Sequence, residues 1–122
     1  MKIEGEGIAT STFEDLYVIT LRGEWDVATR DRLRGVLQEA GTANDVLVDL
    51  RQASFFDSTA LAELIALYKR LNGAGRRLEA LVGDSNMRRL LQLTSLDALL
   101  GISPERARYL SASLPETVWP EG

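Results

Sequence analysis

The chain has 122 residues, 45% of them hydrophobic, which suffices for one core and one domain. Its 14 basic and 18 acidic residues leave a net charge of -4, with no basic block to attract nucleic-acid phosphates. It contains no cysteine and no histidine, so disulfides, thiolate or imidazole metal sites and His- or Cys-dependent catalysis are excluded, and only carboxylates remain to hold a hard cation.

Residues 1–10 (MKIEGEGIAT) lack the apolar centre of a signal peptide, and no stretch approaches the roughly 18 apolar residues of a membrane helix. A cytoplasmic protein that does not insert in membranes is expected. Residues 16–22 (LYVITLR) are rich in β-branched and aromatic side chains and stop at Gly23, the pattern of a strand, with residues 8–12 as a hairpin partner. Over residues 29–40, Leu33, Val36, Leu37 and Ala40 recur at helical spacing with arginines elsewhere around the turn, so an amphipathic helix follows.

After a turn at 41–44, the apolar run 46–50, broken only by Asp49, predicts a central strand covered on both faces. Leu61, Leu64, Ile65, Tyr68 and Leu71 then form a helical stripe that Gly73 and Gly75 end. Residues 77–82 predict the next strand, and Asp84 or Ser85 is placed to cap a helix whose face carries Met87, Leu90, Leu91 and Thr94. Residues 99–102 read as a further strand. Ser103-Pro104 opens a last helix to about residue 113, and 114–122, with two prolines, is expected to be a tail. Strands alternating with helices imply parallel βαβ units, hence a mostly parallel, mixed sheet in an α/β fold.

In such a sheet the strand-to-helix loops gather at the carboxyl edge, where ligands and partners bind. Two segments there carry unusual residues: Gly23-Glu24-Trp25-Asp26, and residues 51–59 ending in Phe55-Phe56-Asp57-Ser58-Thr59. The topology brings Asp26 and Asp57 to the same edge. Asp, Ser and Thr before a helix are good N-caps, which is the simpler reading of Asp26, Asp57, Ser58 and Thr59. A hydroxyl at a helix N-terminus also sits where amides and the dipole tolerate a phosphate, and the two readings are compatible. Trp25 either plugs the core edge or stands exposed as an anchor. Phe55 and Phe56 fit packing on the helix that follows, and only one of them needs burial.

The run from Val48-Asp49-Leu50 through Phe56-Asp57-Ser58-Thr59-Ala60-Leu61 to Gly73-Ala74-Gly75 resembles the signature of STAS domains. The Gly23-Glu24-Trp25-Asp26 segment is similar to that family's glycine, glutamate, apolar, aspartate element at the same distance upstream. The likeness covers residues 8–113 and implies a single-domain STAS-like fold over residues 1–113, followed by a C-terminal tail at 114–122. Two positions depart from the family: Ala60 stands where glycine is usual, and the apolar position is the bulky Trp25.

The anti-sigma-factor antagonists of that family take phosphate on the serine after the aspartate, from a partner that is both serine kinase and anti-sigma factor. The resemblance therefore implies phosphorylation of Ser58, with Thr59 as the alternative, and partner contacts by Glu24, Trp25, Asp26, Asp57, Ser58 and Thr59. Its expected partners are that anti-sigma factor and kinase, a phosphatase, and further copies of the chain. Other readings are a subunit of a lipid-transporting ABC complex and a subunit of a large stress-signalling assembly. An enzyme is disfavoured: paired Asp26 and Asp57 at helix starts face solvent rather than a pKa-splitting interior, and no stretch fits a nucleotide fingerprint, so no catalytic residue, metal or cofactor is expected.

Overall fold

A computed structural model of the chain describes residues 6–83 and 85–120. Strands β1 (Gly7–Phe13) and β2 (Leu16–Trp25) form an antiparallel hairpin through a two-residue loop in which Glu14 takes a positive φ of 55°. A single 3-10 turn (Val27–Thr29) leads into α1 (Arg30–Glu39), and then come β3 (Asp45–Phe56), α2 (Ser58–Gly73) and β4 (Leu78–Leu81). Three more helices end the chain: α3 (Ser85–Leu93), the short α4 (Asp97–Leu100) and α5 (Pro104–Ser113). The sheet order is β1-β2-β3-β4, with β2, β3 and β4 parallel. The α/β fold with a mixed, mostly parallel sheet is therefore as expected.

Side-chain alternation divides the sheet into two faces. Val46, Val48 and Leu50 of β3 join a large cluster with Leu33 and Leu37 of α1, Leu64, Leu67 and Leu71 of α2, and Met87 and Leu91 of α3. Leu47 points the other way, with Leu16, Val18 and Leu81, into a smaller cluster closed by Leu110 of α5. That double burial explains why residues 46–50 carry an almost unbroken apolar run.

Two strands outlast their sequence boundaries. β2 continues through Gly23 to Trp25, and β3 through Arg51 to Phe56, so residues 23–25 and 51–56 are ladder rather than loop. Gly23 does not end its strand: at φ 87° it sits at one of two irregularities in the β2–β3 register, a backbone state that glycine adopts without strain. The strand expected at 99–102 is instead the helical turn α4 and an extended exit. Leu96 and Leu100, four apart, are both buried while Leu99 is exposed, which is a helical period, and local bonds such as Leu100 N–H to Leu96 C=O satisfy the backbone. The cap expected from Asp84 or the Ser85 side chain lies outside the described residues.

Ser103 caps α5 as expected, accepting from the Arg106 amide. The segment expected as a tail runs back over the second face: Leu114 packs on the smaller cluster, and the Trp119 ring lies 4.3 Å from the Arg22 guanidinium. α5 is pinned to the sheet by a buried charge. Glu79 of β4 accepts from Arg106 Nε (2.6 Å) and Nη2 (2.8 Å) and from Arg77 Nη2 (3.1 Å). Hydrogen bonding to Glu79 raises the Arg106 pKa above its ordinary value.

Arg106→Ala strands the Glu79 carboxylate with only the exposed Arg77, at an expected cost of about 2–4 kcal/mol in denaturant unfolding. The double replacement Glu79→Met with Arg106→Leu should recover most of that loss, because both desolvation costs go together. If single and double variants lose equally, the pair itself, not the orphaned charge, carries the stability.

Candidate functional site

The parallel ladder of β2 and β3 ends with Trp25 opposite Phe56, and the Asp57 amide then donates to the Trp25 carbonyl at 3.0 Å. Asp26 and Asp57 therefore leave the carboxyl edge side by side, one strand spacing of about 4.8 Å apart in backbone terms. Beneath them lies an apolar floor. Trp25 is 0% and Phe56 1% exposed, the Trp25 indole N–H donates to the Arg22 carbonyl at 3.1 Å, and the Arg32 guanidinium stands 5.6 Å from the indole ring.

Both aspartates are caps. Asp26 Oδ1 accepts from the Ala28 amide at 3.0 Å, while the Asp26 amide donates to Thr29 Oγ1, also at 3.0 Å, closing a capping box. Asp57 Oδ1 accepts from the Ala60 amide at 2.9 Å. Each cap uses one carboxylate oxygen, Oδ1, and both residues are only half-buried, so the second oxygen remains for another contact. Capping and contact are compatible here, as the sequence allowed.

Because Asp57 does the capping, Ser58 does not. Ser58 is the first residue of α2, exposed, and its hydroxyl makes no hydrogen bond among the described residues. Asp57 also serves the Leu61 amide through its carbonyl, at 3.0 Å, which leaves the Ser58 and Thr59 amides without helical acceptors. A negative group on Ser58 thus meets two free donors and the positive end of a 16-residue dipole. Thr59 is half-buried, and Glu24 is exposed at the end of β2.

Of the two places the sequence left open for Trp25, it takes the core edge: it is buried and supports the carboxyl edge from below. Two large apolar side chains stand exposed here: Val27, which the sequence reading did not single out, and Phe55, which it weighed. Val27, directly after the Asp26 cap, is 67% exposed, and Phe55 is 47% exposed. For Phe55 the signal was there: adjacent strand residues face opposite sides, so one of Phe55 and Phe56 had to point outward. Phe55 lines an open cleft of about 220 Å³ with Met87, Leu90 and Leu93 of α3. Among the described residues no group of three or more acidic side chains is placed to hold a metal ion.

The family model described as "Mlab, STAS domain" matches residues 9–101. An anti-sigma-B factor antagonist of Staphylococcus epidermidis is 34% identical over 99 residues, which is 79% of this chain and 91% of that protein. Among solved structures, an anti-sigma factor antagonist from Mycobacterium paratuberculosis superposes with a TM-score of 0.75 at 22% identity, covering 89% of this chain and 94% of that one. The Bacillus cell fate determinant SpoIIAA in its phosphorylated form gives a TM-score of 0.61 at 21% identity, covering 85% of this chain and 98% of that one. At such identities these two structures speak for the fold.

Asp57→Ala removes the only side-chain cap of α2 and should lower stability by about 1 kcal/mol, whereas Asp57→Asn keeps an acceptor and stays within a few tenths of the parent. Thermal unfolding of the two variants checks this. Equal losses would mean that the charge of Asp57, not its cap, stabilises the helix.

Proposed function

Because the chain belongs to the STAS domain family, we propose that it is an anti-sigma-factor antagonist, a switching module that binds an anti-sigma factor while Ser58 is free and lets go when Ser58 is phosphorylated. The observation that carries this reading is the exposed, uncommitted hydroxyl of Ser58 beside two carboxylates that are already fixed by their capping bonds. The likeness to the staphylococcal antagonist, across four fifths of the chain, supports it.

The chemistry belongs to the partner. With no histidine in the chain and Asp57 engaged in its cap, nothing at the edge is arranged as a dedicated base for Ser58. The serine oxygen attacks the γ-phosphorus of the partner's ATP, a new P–O bond forms as the bond to ADP breaks, and the hydroxyl proton passes to a base on the partner. Before that step, Val27 and Phe55 supply apolar contact and Glu24, Asp26 and Asp57 face a basic surface. After it, about -1.5 to -2 charges are added to an edge that is already acidic. A partner fitted to a hydroxyl must then desolvate that charge, and each ~1.4 kcal/mol lost weakens binding tenfold. The helix itself is not opposed, since the charge sits at its favourable end.

Incubation with the cognate kinase and ATP, read by mass spectrometry, should modify the parent and Thr59→Ala but not Ser58→Ala. In the modified protein α2 should keep its amide-exchange protection. Full modification of Ser58→Ala moves the assignment to Thr59, and recovery of a membrane ATPase complex in a pull-down would favour a transporter subunit instead.

A second expectation separates contact from capping at Asp26. Asp26→Asn keeps an oxygen for the Ala28 amide and removes the charge, so the melting temperature should hold while affinity for the anti-sigma factor, by calorimetry, falls about tenfold. A drop in melting temperature with unchanged affinity would leave Asp26 a cap and nothing more.

A further inference from the structure

The second face of the sheet changes character along its strands. Val18 and Leu47 lie in the smaller cluster under Leu110 of α5, and the next residues on that face are Thr20 of β2 and Asp49 of β3, which stand opposite each other in the parallel register. Above this polar pair the cover is not a helix but the C-terminal segment 114–118. Between segment and sheet lies a cavity of about 220 Å³, with Ala9, Val18, Thr20 and Asp49 on its strand side. The covering segment lies beyond residues 9–101 of the family match, so the cavity's roof is not part of the matched domain.

Two buried polar groups meet the cavity, and only one is satisfied. Asp49, 2% exposed, has both oxygens held: Oδ1 accepts from the Arg51 amide at 3.1 Å and from its Nε at 3.0 Å, and Oδ2 from its Nη2 at 2.8 Å. Thr20, 4% exposed, makes no side-chain hydrogen bond among the described residues. A hydroxyl both donates and accepts, and a buried one without a partner is rare in native folds. The rest of the lining sorts ligands by charge. It holds no arginine or lysine, its other ionisable group is the Glu116 carboxylate, and Leu114, Pro115 and Val118 add apolar wall to Ala9 and Val18.

We infer that the cavity under the C-terminal segment is a binding site for a small neutral alcohol, a hydroxyl carried on a compact apolar body. The ligand hydroxyl exchanges hydrogen bonds with Thr20 Oγ1, and its body displaces water from Val18 and Leu114. Pockets for drug-sized ligands run to about 300–1,000 Å³, so a smaller molecule is the match here. A carboxylate or phosphate would meet Asp49 and Glu116 with no lining cation to receive it. The Arg51 guanidinium already answers Asp49, so no cationic ligand is called for either. The site lies on the opposite face of the sheet from α1 and α2, and so stands apart from Ser58 and from the partner edge.

Cyclohexanol serves as the probe, with cyclohexanecarboxylate as the same body on an anion. Titrated into the isotope-labelled chain, cyclohexanol should shift the amide resonances of Thr20, Asp49 and Thr117 saturably, and the carboxylate should leave them in place. Thr20→Val keeps the shape of the side chain and removes the hydroxyl, so affinity for cyclohexanol should fall about three- to tenfold, while Thr20→Ser keeps the hydroxyl and stays near the parent. Val27→Ala, at the partner edge, should bind as the parent does. Melting curves establish that each variant is folded. Equal affinities for the parent and Thr20→Val overturn the inference, as do shifts that never saturate or carboxylate binding as tight as that of the alcohol.

Discussion

Everything at the functional edge depends on the parallel pairing of β2 and β3 being carried to its last residue. The bond from the Asp57 amide to the Trp25 carbonyl closes that ladder, and it makes two chain segments 31 residues apart turn away from the sheet at one point. Each segment then starts a helix with an aspartate cap. Without the shared register, Asp26 and Asp57 would be two unrelated helix caps; with it, they form one acidic lip around a free hydroxyl.

The lip rests on a floor that cannot shift. Trp25 and Phe56 fill the end of the larger core cluster, and a close-packed interior transmits a displaced ring into its neighbours. Trp25 turns inward by the period-two alternation that also buries Ile19 and Leu21, and Glu24 stays outside, while the two register irregularities place the extra residues in β3. Gly23, which reads as a strand end, lies inside the strand with a positive φ.

Arginine performs the same service in three other places. Glu63, Asp49 and Glu79 are each buried, and each is forked by a guanidinium, from Arg34, Arg51 and Arg106 respectively. Burial of a lone carboxylate is costly, so these pairs are conditions of the fold as much as sources of stability. They tie α1 to α2, β3 to itself and α5 to β4.

Most of the element order was legible in the sequence, since periods of two and 3.6 show directly in the apolar pattern and helix starts show in Asp57 and Ser103. The edge shared by Asp26 and Asp57 was legible too, because parallel connections leave one topology. Other features were decided only in three dimensions. Residues 99–102 are apolar enough for a strand, but Leu96 and Leu100 had to be buried together, and a four-residue spacing meets that demand only in a helix. Burial of Trp25 and exposure of Phe55 depend on which face of the ladder each meets, and a register shift at Gly23 is invisible in composition. Asp, Ser and Thr in succession are all competent caps; the backbone chose Asp57, because only its position puts a carboxylate within reach of the Ala60 amide, and that choice is what leaves Ser58 free.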